Sequence, residues 1–301
     1  MEGVLLLHKP AGMTSHDCVN KIRKLFSTKK VGHTGTLDPD VSGVLPLCIG
    51  KATKIAQFLT AENKTYSAEI TLGFSTTTED ASGEIVASKE VSKSLSSEDV
   101  KKVLEELTGE IEQTPPMYSA VKVNGRKLYE YAREGIEVER PTRTITIHQM
   151  DLTSDIEWNG QNVSFRIDVT CSKGTYIRTL AVMIGEKLGY PAHMSHLIRT
   201  KSGTFVLDDC LTFEELENIL PNPLPANSFL TMNDALNHLP KWTINDTLAK
   251  KVKNGAVLSV PDDWNHQTNR PIRVIHNGEC IALYTLHPTK ENLVKPLKVF
   301  H

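Results

Sequence analysis

The chain has 301 residues, 39% hydrophobic and 23% charged, with a formal net charge of −2. That length suits one large domain plus a small one, or two medium domains, and it can bury a sizeable core. The balance excludes a disordered chain and a uniformly basic polyanion binder, and no stretch approaches the roughly 18 apolar residues of a membrane span. The charge is nevertheless uneven. The first sixty residues carry Lys9, Lys21, Arg23, Lys24, Lys29, Lys30, Lys51 and Lys54 against Glu2, Asp17, Asp38 and Asp40. Ten acids oppose four lysines between Glu79 and Glu112. This asymmetry fits one polyanion-facing surface with an acidic back, and equally two solvated faces of opposite sign. Five cysteines stand singly with no CxxC pair, and the N-terminus has no basic leader segment. Reduced thiols in a cytoplasmic protein are therefore expected.

In chain order, Gly3 to Leu7 reads as a short buried strand, and Ser15 as the cap of a helix to about Phe26 with Asp17 in its first turn. Residues 29 to 43 read as a loop dense in Gly, Thr and Asp. Val44 to Ile49 is a second buried strand, Lys51 to Leu59 a short helix, and Lys64 to Gly73 an alternating strand. Ser96 and Asp99 open a helix to about Leu107. Ser119 to Val123 runs into an Asn124-Gly125 turn. Strands follow near Thr142 to Met150 and Val163 to Cys171, then a helix over Thr175 to Leu188 and a capping box at Thr212-x-x-Glu215. Pro and Asn collect around Leu220 to Pro225. Beyond Pro240, short apolar segments separated by Gly, Asn and Pro predict a small, mostly β unit. The pattern is an α+β body, residues 1–239, with a compact β-rich tail, residues 240–301.

Some chemical signals fail on inspection. Gly50-Lys51-Ala52-Thr53 lacks the upstream glycine and the metal-binding hydroxyl of a phosphate-binding loop. His193-x-x-His196 could bring two imidazoles to one side of a helix, but no third ligand accompanies them, so no metal site is expected. The loop Val31 to Pro39 is a poor core segment. Its glycines permit close backbone approach to a ligand, and Pro39 biases Asp38 toward an extended conformation. Alone, it reads as a tight turn. Tyr66 in Lys64-Thr65-Tyr66, and Tyr176 with Arg178 in Cys171 to Arg178, add stacking faces and a cation, a set suited to an RNA base.

These segments, with Gly3 to Gly12, Pro116-Met117-Tyr118-Ser119-Ala120 and Lys127 to Gly135, resemble the TruB family of pseudouridine synthases over essentially the whole chain. One departure is His8, which stands where many members carry an acid; it touches nothing catalytic. The resemblance implies a central mixed β-sheet with flanking helices, an active-site cleft across its middle, and a PUA-like RNA-binding tail. It implies isomerisation of uridine 55 in the T-loop of tRNA, without cofactor or metal. By the same resemblance Asp38 is the essential acid and Arg178 its partner. Tyr66 stacks on the uracil and takes part in moving the C5 proton, and His33 fills the space left by the flipped nucleotide. Tyr176 and Leu197 line the uridine pocket, and Lys9 lies close to it. The short chain resembles stand-alone members that act as monomers without guide RNA. Two other readings stay open: a tRNA-folding factor that uses the loop only for docking, and a glycoside hydrolase, which needs a second carboxylate that the matched motifs do not supply.

Overall fold

The computed structural model describes residues 2–261, 264 and 270–300. Its main sheet has eleven strands. Those that matter here are β1 (Gly3–Lys9), β2 (Val31–His33), β3 (Ser42–Ile49), β4 (Lys64–Leu72), β5 (Gly109–Gln113), β6 (Arg143–Leu152), β7 (Asn162–Cys171), β8 (Ala192–Ser202) and β9 (Phe229–Leu230). They lie in the order β9-β1-β3-β8-β4-β7-β6-β5, with β2 beside β3. Four helices flank them: α1 (Ser15–Leu25), α2 (Ser97–Glu106), α3 (Ile177–Leu188) and α4 (Phe213–Ile219). Past Pro240, strands β10 (Lys241–Thr243), β11 (Leu258–Ser259), β12 (Ile272–His276), β13 (Glu279–Leu286) and β14 (Leu293–Val299) build a separate five-stranded sheet with helix α5 (Asp246–Lys253).

The two halves of the main sheet differ because their faces are covered differently. In β1 and β3, Leu5, Leu7, Leu45, Leu47 and Ile49 pack with Cys18, Val19 and Ile22 of α1 and Leu216 of α4. The alternate residues Val4, Leu6, Val44 and Cys48 pack with Leu236, Leu239 and the tail residues Ile275, Cys280 and Leu283. Both faces are dry, so these strands read as unbroken apolar runs. In β4 only Ala68, Ile70 and Leu72 enter the core shared with α2 and α3. The opposite face carries Glu69, paired with Arg166, and Thr71, donating to Ser195. That one-sided cover gives the visible alternation.

The sheet is mixed, as expected, through a single short parallel contact: Ile198 and Arg199 of β8 against Ser42 and Gly43 of β3. Its other pairings are antiparallel. At this seam Gly43 has φ +114°, and a Cβ there would stand 2.2 Å from the Arg199 carbonyl oxygen. Only glycine fits, since both the dihedral and the space exclude a side chain.

Four local expectations change. Thr14 caps α1, in a capping box with Asp17, whereas Ser15 is buried in the first turn. Within the expected loop 29–43, Val31–His33 pairs with Leu47–Ile49 as a strand. The helix from Lys51 is a 3-10 turn, Gly50–Ile55, before a short α-helix, Ala56–Thr60. His193 and His196 sit on strand β8, and a bulge between Met194 and His196 separates them. His193 is buried with Nδ1 3.0 Å from the Phe74 carbonyl oxygen, while His196 is exposed. Among the described residues no cluster of His, Cys, Asp or Glu could hold a metal, and no helix is long and apolar enough to cross a membrane.

The seam generates a stability prediction. Gly43→Ala should lower unfolding free energy by at least ~3 kcal/mol, because strain and backbone collision combine. Gly160→Ala, at φ +66° with open space around it, should cost only about 1 kcal/mol. Urea unfolding of both variants checks this; equal losses would contradict it.

Candidate active site

Asp38 stands in a loop pinned on both sides of it. The backbone closes a β-turn, with Val41 N–H donating to the Asp38 carbonyl at 3.1 Å and Pro39 at the position where a fixed φ favours the turn. The tight turn expected from sequence is real. Its side chain does not cap the turn, however. Leu37 and Val41, flanking the turn residues, are buried in the core. Ser15 Oγ accepts from Leu37 N–H at 2.9 Å, which is why that serine is inside the helix and not at its cap. Lys9 Nζ donates to the carbonyls of Pro10, Pro39 and Val41 at 2.7–2.8 Å. With 0% exposure and three hydrogen bonds, Lys9 has no N–H left for RNA. Expected near the uridine pocket as a binding residue, it is instead a clamp on the loop.

Arg178 completes the arrangement from the first turn of α3. Tyr176, the residue before the helix, is held by the buried Gln113 side chain. Its N–H donates to Oε1 at 2.8 Å, and its carbonyl accepts from Nε2 at 3.0 Å. A cation in the first turn is opposed by the helix dipole, so its burial requires compensation. The compensation is specific: Arg178 Nε lies 3.0 Å from Asp38 Oδ2, Nη1 donates to the Thr78 carbonyl at 3.1 Å, and Nη2 to the Tyr118 carbonyl at 2.9 Å. The Arg178 side chain is 5% exposed and that of Asp38 44%, so the carboxylate is the open end of the pair.

The cleft around this pair has a volume of about 690 Å³, within the usual range of small-molecule sites. Asp38, Tyr66, Tyr176, Arg178 and Leu197 all line it. His33 does not. It is half-buried on β2, with Nδ1 accepting from Gly35 N–H at 3.3 Å, which assigns the neutral ring's proton to Nε2. Burial lowers its pKa, and the nearby Arg199 and His16 lower it further.

Several lining residues were not singled out by sequence. Asp80 belongs to the stretch read as an acidic back, yet it faces the cleft, because Thr76 to Ser82 fold against α3 and β8. Its Oδ1 accepts from Thr78 Oγ1, Ser82 N–H and Ser82 Oγ. Lys64 and Arg199 also line the cleft and bring two cations to it. Burial pushes the Lys64 ammonium down to about 8, with Arg199 adding to the shift. Ser119 lines it too, with a buried hydroxyl that has no partner. Gln113 had no signal beyond a polar residue ending an alternating strand.

Burial raises the Asp38 pKa, Arg178 opposes this, and Asp80 raises it further. A carboxylate with a raised folded-state pKa opposes folding above that value, and the cost is relieved as pH falls through the window between its ordinary and raised values. For chemistry, the charged form is lost earlier on acidification than for an ordinary aspartate. Removing the like charge in Asp80→Asn should move the Asp38 midpoint to lower pH. Carboxyl carbon NMR titration of the free protein measures it; an unmoved or raised midpoint would contradict the coupling.

Comparison with known proteins identifies the family. The family model described as "TruB family pseudouridylate synthase (N terminal domain)" matches residues 23–177, and "tRNA pseudouridylate synthase B C-terminal domain" matches residues 178–234. The chain is 63% identical over 301 residues to tRNA pseudouridine synthase B of Bacillus subtilis, covering 99% of this chain and 97% of the relative. It is 59% identical over 302 residues to the protein of that name from Bacillus cereus, with the same coverage. Among solved structures it resembles a chain of a Cbf5-Nop10-Gar1 complex, with TM-score 0.74 and 32% identity over 99% of this chain and 85% of that one. It also resembles a chain of an H/ACA RNP bound to a substrate RNA containing 2′-deoxyuridine, with TM-score 0.71 and 29% identity over 99% and 85%. On the family model and the full-length identity together, this chain belongs to the TruB family of pseudouridylate synthases.

Proposed function

We propose that the chain isomerises uridine 55 in the T-loop of tRNA to pseudouridine, with Asp38 as the essential acid. The observation that carries this reading is the Asp38–Arg178 contact at 3.0 Å, in a cleft walled by two tyrosines and Leu197. A uridine stacked inside a folded loop is out of reach of such a cleft. It must be flipped out, with Tyr66 and Tyr176 offering faces to the extruded base. His33, on the neighbouring strand outside the cleft lining, is suited to fill the space left in the RNA.

In the reaction the N1–C1′ bond breaks with its electron pair left on N1. The base turns, and the C5=C6 pair forms the C5–C1′ bond. Loss of the C5 proton restores the ring double bond, and N1 takes up a proton, so nothing is consumed. Attack by Asp38 at C1′, addition to the ring and removal of a sugar proton share one requirement, the ionised carboxylate. Arg178 favours that form against the burial that opposes it. Arg178 also fixes the direction of the carboxylate, which is worth more to reactivity than charge alone.

Residues 240–301 we read as a PUA-like RNA-binding domain. Lys250, Lys251 and Lys253 are exposed in the last turn of α5, suited to RNA phosphates. The protein is proposed to act in the cytoplasm as a monomer without guide RNA. Nop10 and Gar1 belong to the complex of the solved relative, and nothing is carried over from it.

Glycoside hydrolysis gains one supporting observation, since Asp80 supplies a second carboxylate to the cleft. A general acid must carry a proton on a free oxygen. Asp80 Oδ1 accepts three hydrogen bonds from Thr78 and Ser82, which tie this carboxylate to its own loop as an acceptor.

The test is incubation of the purified protein, alone, with unmodified tRNA, followed by mapping of pseudouridine at nucleotide resolution. Pseudouridine confined to position 55 is the expected result. Free uracil would favour hydrolysis, and a strict need for added partners would overturn the stand-alone reading.

A further inference from the structure

Arg199 is an electrostatic anomaly. It is 1% exposed, among the largest fully buried side chains of the molecule, and has no carboxylate partner among the described residues. A buried cation without a counter-charge is costly, so its retention calls for an account. Two nitrogens are committed to backbone: Nε donates to the Val44 carbonyl at 2.7 Å and Nη2 to the Gly35 carbonyl at 3.2 Å. These contacts join the loop before Asp38 to the seam strand, and Gly43 leaves room for the Arg199 backbone beside it.

What the guanidinium faces is the informative part. In the β4–β8 ladder Arg199 is the direct partner of Tyr66, so the two side chains leave the sheet on one face. Tyr66 is flanked on its other side by Val169 of β7, which carries no charge. Both Tyr66 and Arg199 line the cleft. Of the other charged groups lining the cleft, the Asp38 carboxylate disfavours further negative charge on the phenol, and Lys64, two residues before Tyr66 on β4, is a second cation. Burial raises the Tyr66 pKa most strongly. Arg199, beside it in the ladder, opposes it.

We propose that Arg199 is a positioning residue for Tyr66, whose buried and acid-free guanidinium holds the phenol oxygen in the cleft and stabilises negative charge on it. This rests on the pseudouridine synthase reading above and deepens it. Once the C5–C1′ bond exists, C5 carries both that bond and its hydrogen. The Tyr66 oxygen takes the C5 proton, and the C5–H pair becomes the C5=C6 double bond. The C6=N1 pair moves onto N1, which takes up the proton from the phenol, directly or relayed through a water, returning Tyr66 to its starting form. An arginine serves here because it keeps its own proton while favouring the loss of another.

The test is ultraviolet titration of the free protein, with Tyr66 resolved from the other tyrosines by subtracting the curve of Tyr66→Phe. Arg199→Gln should raise the Tyr66 midpoint by about one unit or more, the usual effect of losing an adjacent opposite charge. Arg199→Lys, which keeps the charge and loses the fork, should leave it within about half a unit of wild type. An unmoved midpoint in Arg199→Gln overturns the proposal. Should that variant fail to fold, Arg199→Lys decides: a midpoint displaced by a unit or more despite the retained charge overturns it. A structural role alone moves stability in both variants without separating them by charge. Because no RNA is present, failure here is distinct from failure of the functional reading, which wild-type pseudouridine formation tests. With RNA, single-turnover release of tritium from C5 should slow in Arg199→Gln and recover in Arg199→Lys; equal slowing in both would count against the charge.

Discussion

A single guanidinium organises the cleft. The three nitrogens of Arg178 reach the Asp38 carboxylate, the Thr78 carbonyl and the Tyr118 carbonyl, on three loops from distant parts of the sequence. Each loop alone is a short irregular segment with little core of its own. Joined through one planar, always-charged group, they are held in mutual register. The arrangement carries a cost. Arg178 lies at the unfavourable end of a helix dipole, and Asp38 is pushed toward its neutral form by burial and by Asp80. The energetic strain falls on the acid proposed to carry the reaction, as is common where function and stability compete.

The sheet supplies the geometry that this group exploits. Its two halves meet at only Ile198–Arg199 and Ser42–Gly43. The Asp38 turn lies immediately before one of these segments, and Leu197 immediately before the other. A long antiparallel pairing from β8 through β4 to β7 then brings Tyr66 beside the seam. The cleft is a consequence of how little the two halves overlap. Buried cations secure it from beneath, with Lys9 on the carbonyls of the Asp38 turn and Arg199 on those of Gly35 and Val44. The tail contributes to the same body, since Ile275, Cys280 and Leu283 close the outer face of β1 and β3.

Much of this was legible in the sequence, for identifiable reasons. The strands of the catalytic body announce themselves by period or by unbroken apolar runs, and two capping boxes mark helix starts at Ser96 and Thr212. Misreadings occurred where one residue could serve two purposes. Ser15 has the chemistry of a cap but its hydroxyl is taken by Leu37. Lys9 has the chemistry of a phosphate ligand but faces three carbonyls. His193 and His196 suit a helix face as well as a bulged strand. Asp38, Tyr66, Tyr176 and Arg178 suggest an RNA-base site only when taken together, and their separate roles, with Leu197, come from whole motifs that match a family; the Asp38 loop by itself reads as a turn. Asp80, Lys64 and Arg199 as cleft residues, and Gln113 as the holder of Tyr176, were passed over, since their importance lies in long-range partners that no local pattern encodes.

The proposed role of the fold is to hold one carboxylate, ionised and aimed, against an extruded base. Replacing Asp38 with Asn keeps the size and one acceptor for Arg178 while removing the charge. Pseudouridine formation on unmodified tRNA and tRNA affinity should be measured on the same preparation. Formation should fall by about 10³-fold or more with affinity essentially kept. Undiminished turnover in Asp38→Asn would contradict that role.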